Sequence, residues 1–397
     1  MEEVNLGNTL GEGPKPGRRQ VRLYELSGDH YELGYQQGLQ AREAVRHFME
    51  NLTHMEVFRV IKPPIVPSRL YIMRAAKEAM RGMWEDLSTR YPRQKARVEG
   101  IAKGADVDEA LLFLIMTWEQ LLGRINYRLG ACTTVGVTAE RSGQGETVII
   151  KNMDHPFSLQ PYYITRLCRA ENGYSTIGVT LAPMGGCFDG MNEHGLCICS
   201  NYGYGTDMPK SQVPVSILVQ EALENCTLTR EAVSFLRENP RSGGSVVLVA
   251  DAEGDMASVE LSPNFSGVRR PEEGVLINTN HYRCPEMVSY DIPRNAYYTS
   301  RNVQALRGIR VHESSELRYA RAHQLLAGAE RIGVRHLLNV FSDHGESGRG
   351  DDNTICRHGE YYSTTCSMIV FPRSRRFLVT YGHPCESVFT DFPDPFG

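Results

Sequence analysis

The sequence predicts an α+β protein in which antiparallel sheets carry helices on their outer faces. Three observations predict it. Residues 21 to about 122 carry mainly helical periodicity after one short alternating run. Downstream, the order is strands, helices, strands, helices, strands, a blocked pattern that favours separate layers over a doubly wound parallel sheet. The bulk supports a sizeable core: of 397 residues, 41% are hydrophobic and 23% charged, enough for one large domain or two.

Residues 1–20, rich in Gly, Pro and charge, read as a flexible leader. Residues 21–26 alternate as a strand, and Gly28-Asp29-His30 turns into a helix. Helices are expected at 32–51, 68–90, 93–104 and 108–122, with Pro63, Pro64 and Pro67 breaking the first pair. Asp106 or Asp108 is placed to cap the last of these, because a short acidic side chain accepts from the unpaired N–H groups of a first turn. The N-terminal third could form a separate lobe or wrap the layered part.

From residue 131 onward the runs become short and β-branched. Strands are expected at 147–151, 163–168, 176–181, 187–191 and 196–201, with Asn192-Glu193-His194-Gly195 as a hairpin loop. Helices follow at 213–226 and 229–238, the latter capped by Thr229. Strands at 246–250, 257–261 and 275–278, helices at 317–327 and 334–341, and strands at 364–371 and 376–381 complete the chain.

Charge and composition exclude several functions. A net charge of −4 leaves no basic footprint for nucleic acid. Arg301, Arg307, Arg310, Arg318 and Arg321 cluster locally, but Glu313 and Glu316 interrupt them, and a solvated helix face is the expected reading. The apolar run at 110–122 is too short to span a bilayer and contains Glu119, so it is expected as a buried helix and no membrane partner is expected. The start of the chain has no apolar secretory core, which leads to an expectation of cytoplasmic location. The ten cysteines show no framework spacing and no Cys-x-x-Cys pair, so they read as mostly buried thiols without structural zinc.

The chemistry concentrates at Gly130-Ala131-Cys132-Thr133-Thr134. A cysteine after two small residues, entering the apolar run Val135-Gly136-Val137, is where a chain is expected to cut itself. Cleavage between Ala131 and Cys132 would leave a residue bearing both a thiol and an α-amine, the amine serving as base for the thiol. A small residue before the cysteine eases approach of the thiol to the Ala131 carbonyl.

Several segments, in order, resemble one family. They are Gly28-Asp29-His30-Tyr31-Glu32-Leu33-Gly34-Tyr35-Gln36-Gln37-Gly38, then Ala131-Cys132-Thr133-Thr134, Lys151-Asn152-Met153-Asp154, and Asn192-Glu193-His194-Gly195-Leu196. Thr279-Asn280-His281-Tyr282, Ser342-Asp343-His344, Ile355-Cys356-Arg357-His358 and Gly382-His383-Pro384-Cys385-Glu386-Ser387 follow. Together they resemble the isopenicillin-N acyltransferase family of autoproteolytic N-terminal-nucleophile hydrolases, which also holds hydrolases of β-alanyl-amines.

The resemblance implies a four-layer αββα sandwich with a helical N-terminal region. It divides the chain at the cut into 21–131 and a catalytic region, 132–397, which stay associated. It implies Cys132 as nucleophile and Asp154 as the acidic partner holding the α-amine by a charge-assisted hydrogen bond. Asn280 would donate to the oxyanion, and Arg357 would favour thiolate. Family members often have glycine where Ala131 stands.

The substrates implied are a small-molecule amide or acyl donor and an amine acceptor. No cofactor is expected, although a CoA thioester could serve as donor; no phosphate-cradling glycine loop is evident. Amide hydrolase, acyltransferase and an uncleaved binding protein remain open. His155, His281, His344 and His358 flank the motifs, but their spacing matches no zinc pattern, and no metal site is expected. Asn192 and Asn201 are expected in core or turn roles, and Met184, Phe188, Tyr202 and Tyr204 either line an acyl pocket or belong to the core.

Overall fold

Two sheets stack face to face with helices on both outer sides, in a computed structural model that describes residues 21–55, 62–63, 65–123, 130–359 and 361–397. The leader expected at 1–20 lies outside the described residues. In chain order the elements are β1 (Leu23–Gly28), α1 (His30–Gln40), α2 (Arg42–Asn51), α3 (Ser68–Arg90), α4 (Pro92–Ala105), α5 (Glu109–Gly123), β2 (Ala131–Val137) and β3 (Val148–Pro156). Then come β4 (Tyr163–Ala170), β5 (Thr176–Leu181), β6 (Asp189–Asn192), β7 (Cys197–Gly203), α6 (Val215–Asn225), α7 (Thr229–Glu238) and β8 (Gly244–Ala250). The chain closes with β9 (Met256–Leu261), β10 (Ser266–Arg269), β11 (Val275–Asn278), α8 (Glu313–Leu326), α9 (Val334–Phe341), β12 (Tyr362–Phe371), β13 (Arg376–Thr380) and β14 (Thr390–Phe392).

The larger sheet runs β1-β4-β5-β6-β7-β8-β9-β10 and the smaller β11-β2-β3-β12-β13-β14. Among the described residues all strand pairs are antiparallel except β1 with β4. Alternation along each strand sorts the side chains. Ile149 and Met153 of β3 join Leu248 and Met256 in the core between the sheets. Val148 and Ile150, one residue out of phase, pack with Leu337 and Phe341 under α9. This is the four-layer αββα arrangement.

The N-terminal third is not a separate lobe. β1 completes an edge of the larger sheet, and α1 is launched by a capping box: the Asp29 carboxylate accepts from Glu32 N at 2.9 Å, and Glu32 returns the bond to Asp29 N at 3.0 Å. Glycines then bring α1 against α4 at backbone contact. A Cβ at Gly34 would lie 1.9 Å from Arg97 O, and one at Gly100 would lie 2.1 Å from Tyr31 O, both far inside van der Waals contact. A buried polar network ties this pair to α6. Glu224 accepts from Arg97 at 2.6 Å and Gln94 at 2.8 Å, and pairs with His30 at 3.0 Å. Burial pushes the Glu224 carboxyl up, but Arg97 and His30 outweigh it and hold the group far below the usual carboxylate range.

Three local expectations change. The helix expected at 32–51 breaks at Ala41 into α1 and α2. Thr229 does not cap α7: Leu228 holds the cap position, and the Thr229 N–H donates to Asp251 Oδ2 at 2.7 Å. Asp108, not Asp106, serves the start of α5, accepting from Ala110 N at 2.9 Å, while Asp106 ends α4 in a left-handed conformation. No helix among the described residues is long and apolar enough to cross a membrane.

The glycine crossing carries a prediction. Gly100→Val should lower unfolding free energy by about 3 kcal/mol or more, because backbone rather than a flexible side chain must yield. Urea denaturation checks it, and an unchanged midpoint would refute the close crossing.

Candidate active site

Cys132 is the second residue of β2, the strand between β11 and β3 in the smaller sheet. Its Cα partner on β3 is Met153, and both side chains face the core between the sheets. The thiol is buried, and burial pushes it up to about 11, with Lys151 pulling the other way. At neutral pH it is therefore a thiol in the continuous chain. It borders a cavity of about 20 Å³ shared with Met153, His155, Phe188 and Tyr202, room for one water and not for an acyl chain.

Ala131 faces Asp154 across the ladder. The carboxylate is fully buried on the face away from the thiol: Oδ1 accepts from Thr364 Oγ1 at 2.8 Å, and Oδ2 lies 3.9 Å from Arg318 and 4.0 Å from Arg357. Burial raises its pKa, opposed by the two guanidiniums. Arg357 is positioned by its backbone, whose N–H donates to the same Thr364 hydroxyl at 2.9 Å, and by Asp352 at 3.1 Å. Gly130 precedes this strand because the chain passes tightly beside His155; a Cβ there would meet the imidazole at 2.4 Å.

Asn280 follows β11 and reaches the proposed chain start directly. Cys132 N–H donates to Asn280 Oδ1 at 3.0 Å, and Asn280 Nδ2 donates to Tyr202 O at 3.0 Å. The acceptor on the nitrogen of residue 132 is thus Asn280 in the continuous chain, while Asp154, expected to hold the α-amine after the cut, faces Ala131. Asn201 holds the segment in place, donating to Asn278 O and Thr279 O at 3.1 and 3.2 Å and accepting from Thr134 Oγ1 at 2.7 Å. Asn192 is a turn residue whose amide closes the β6–β7 hairpin and the end of α6.

The residue that sequence reasoning misplaced is Arg318. It is not on a solvated helix face; it is 1% exposed and points from α8 into the site. It donates to Cys132 O at 2.6 Å, Thr133 Oγ1 at 2.7 Å and Asn280 Oδ1 at 2.8 Å. The signal was present: Ser315, Arg318, Ala322 and Leu326 recur at helical spacing and form the buried stripe of α8. A second unanticipated cation is Lys151, wholly buried between the sheets with Asp189 at 2.5 Å and Ser200 O at 2.7 Å. Buried cations (Lys151, Arg318, Arg357) outnumber buried carboxylates (Asp154, Asp189), so the site's field favours negative charge on sulfur or oxygen.

The acyl-pocket expectation divides. Phe188 and Tyr202 share the Cys132 cavity, Tyr204 lines a second one with Ala131, Asn280, Arg318 and Arg357, and Met184 lies apart, its carbonyl taken by Gln37 and Arg166. The histidines separate as well. His155 bonds the Tyr163 hydroxyl, and His281 pairs with Ser315 Oγ at 2.8 Å. His344 and His358 converge elsewhere, with Cys356 and Cys385.

A protein-family profile described as acyl-coenzyme A:6-aminopenicillanic acid acyl-transferase matches residues 141–370. That span contains Asp154, Asn280, Arg318 and Arg357 and begins just after Cys132. Among solved structures, a Caenorhabditis elegans N-acylethanolamine-hydrolyzing acid amidase ortholog is similar at 18% identity, over 61% of this chain and 93% of that one, with a TM-score of 0.42. A mutant conjugated bile acid hydrolase from Clostridium perfringens is similar at 16% identity, over 66% of this chain and 92% of that one, with a TM-score of 0.41. No curated protein sequence matches the chain.

Burial lowers both His155 and His281 to about 3. Between about 6.5 and that value the unfolded chain binds protons that the folded one refuses, so these groups make stability fall as pH drops through this window. His155→Gln should flatten that loss relative to wild type. Urea midpoints measured from pH 7 to pH 4 test it; parallel curves would exclude a buried neutral His155.

Proposed function

Because the chain belongs to the acyl-coenzyme A:6-aminopenicillanic acid acyl-transferase family, we propose that it is an autoproteolytic cysteine enzyme. It cuts its own Ala131–Cys132 bond and then hydrolyses or transfers acyl groups from amides or thioesters. The observation that carries this reading is the set of contacts on Cys132, whose N–H rests on Asn280 and whose carbonyl is clamped by Arg318.

In the self-cut, Cys132 Sγ attacks the Ala131 carbonyl carbon, the thiol proton passes to the departing nitrogen, and a thioester replaces the peptide bond. Water then releases residues 1–131 and leaves an α-amine at Cys132. Asn280 Oδ1 already accepts from that nitrogen and would orient the amine, which takes the thiol proton in each later turnover. A free thiol and a free α-amine titrate within roughly a unit of each other, so the exchange comes near balance once the cut exposes the thiol that burial holds at about 11 in the continuous chain.

Arg318 and Arg357 hold Asp154 in place and supply the positive field in which thiolate and oxyanion charge develop. The second N–H of Asn280 Nδ2 is the candidate oxyanion donor. The product fragments stay together because β1 and the Glu224 network are parts of the same core. The two small cavities flanking Cys132 favour release of residues before it as the step that makes room for substrate.

Purified wild type should run as two fragments on a denaturing gel, and Cys132→Ala as one species of 44.6 kDa. A wild type that stays whole refutes the mature enzyme. Arg318→Met and Asn280→Ala should each slow acyl-enzyme formation, measured in fully cut protein, by roughly 10²–10³. Incubation of an acyl donor with and without a competing amine separates the two activities: a new amide marks transfer, and free acid alone marks hydrolysis.

A further inference from the structure

At the chain neighbours of Arg357, three chain segments converge on one point. His344 follows α9, Cys356 and His358 lie on the strap before β12, and Cys385 lies beyond β13. One ligand atom from each of the four residues can be chosen so that all lie within 4.8 Å of one another. The two sulfurs are 3.6 Å apart, and His358 Nε2 is 3.5 Å from Cys356 Sγ and 3.4 Å from Cys385 Sγ. The His344 ring stands perpendicular to that of His358 with centroids 4.8 Å apart.

These separations have the size of the edges of a coordination tetrahedron. Zinc bonds of about 2.3 Å to sulfur and about 2.05 Å to nitrogen, at tetrahedral angles, give edges of about 3.8 Å for sulfur–sulfur and about 3.6 Å for sulfur–nitrogen. The three edges among Cys356, His358 and Cys385 agree to within about 0.2 Å, and His344 completes the group with its ligand atom within 4.8 Å of the others. A disulfide does not account for the same geometry, since bonded sulfurs lie about 2.04 Å apart and leave the two imidazoles unexplained. Two thiolates neutralise a divalent cation, and tetrahedral S₂N₂ donors select zinc.

We propose that His344, Cys356, His358 and Cys385 form a structural zinc site. Sequence spacing hides it. The sulfurs are 29 residues apart, and one Cys–His pair is separated by only two, which is no finger or ribbon pattern. Four protein ligands close the coordination sphere, which assigns the metal to structure rather than to catalysis.

The bound metal would pin Arg357 between two of its own ligands, Cys356 and His358. It would also tie the strap to the loops after α9 and β13. His383 stacks on His358 at 3.7 Å and bonds Ser363 Oγ at 2.7 Å, while the neighbouring Thr364 hydroxyl joins Arg357 N–H to Asp154. Arg357 is then a residue whose position depends on the metal, with Asp154 at the end of the relay.

The test uses the full chain and its Cys132→Ala variant, so that metal content is read apart from self-cleavage. Protein purified without a metal-binding tag should carry about one zinc per chain by elemental analysis, equal in both. Cobalt(II) exchanged into the site should show the intense visible bands of a tetrahedral thiolate complex. Cys385→Ser should lose those bands, and chelation of the wild type should lower its Tm in a way that zinc chloride restores. Metal-free protein with unchanged Tm in zinc chloride overturns the proposal, as does equal zinc in Cys385→Ser. An intact mass showing a Cys356–Cys385 disulfide in the purified chain does so too.

Discussion

A buried guanidinium holds this site together. Arg318 sits inside the protein, and burying an unpaired cation costs several kcal/mol even after relaxation. The cost is offset because each side of the group meets an oxygen: the Cys132 carbonyl, the hydroxyls of Thr133 and Ser314, and the amide oxygen of Asn280, with the Asp154 carboxylate 3.9 Å away. Those oxygens belong to β2, β3, α8 and the segment after β11. One side chain therefore ties its own helix to three other parts of the chain around the bond between Ala131 and Cys132. Burial lowers its own pKa only to about 10, so it stays charged at neutral pH.

The same economy recurs on the other face of the molecule. Arg97 and Glu224 are both buried, and His30, Gln94 and Gln220 share the carboxylate with the guanidinium. Gly34 and Gly100 let α1 and α4 approach closely enough to assemble these groups. Lys151, which pulls the thiol pKa down, is also paired: it projects between the sheets, where Asp189 and a strand carbonyl receive its ammonium.

Segments bounded by strong punctuation were legible in the sequence. Residues 68–90, 176–181, 229–238, 275–278 and 334–341 coincide with α3, β5, α7, β11 and α9 at both ends. β10 and β14 were not legible: both are short, and each lies at the edge of a sheet, where pairing rather than pattern makes the strand. For the site, Cys132, Asp154, Asn280 and Arg357 do gather around one strand end. Their division of labour was hidden, because only register shows that Asp154 faces Ala131 while Asn280 reaches the nitrogen of residue 132. Arg318 was read from its acidic neighbours Glu313 and Glu316 instead of from the buried stripe it shares with Ser315 and Ala322. Cys356, His358, His344 and Cys385 meet only through tertiary structure, which no local spacing records.

β1 has a consequence for the life history of the molecule. Among the described residues its pairing is the one parallel pair in the larger sheet, and it comes from a segment that precedes the bond at Ala131, while its partner β4 follows that bond. A chain severed there would keep its shape but lose the covalent memory that built it. Before the cut, β1 finds β4 as a tethered neighbour; afterwards the two meet only at the concentration of separate solutes. Such a protein would be durable as long as it remained folded and unable to recover once it came apart, so its lifetime would be set by the rate of unfolding rather than by an equilibrium.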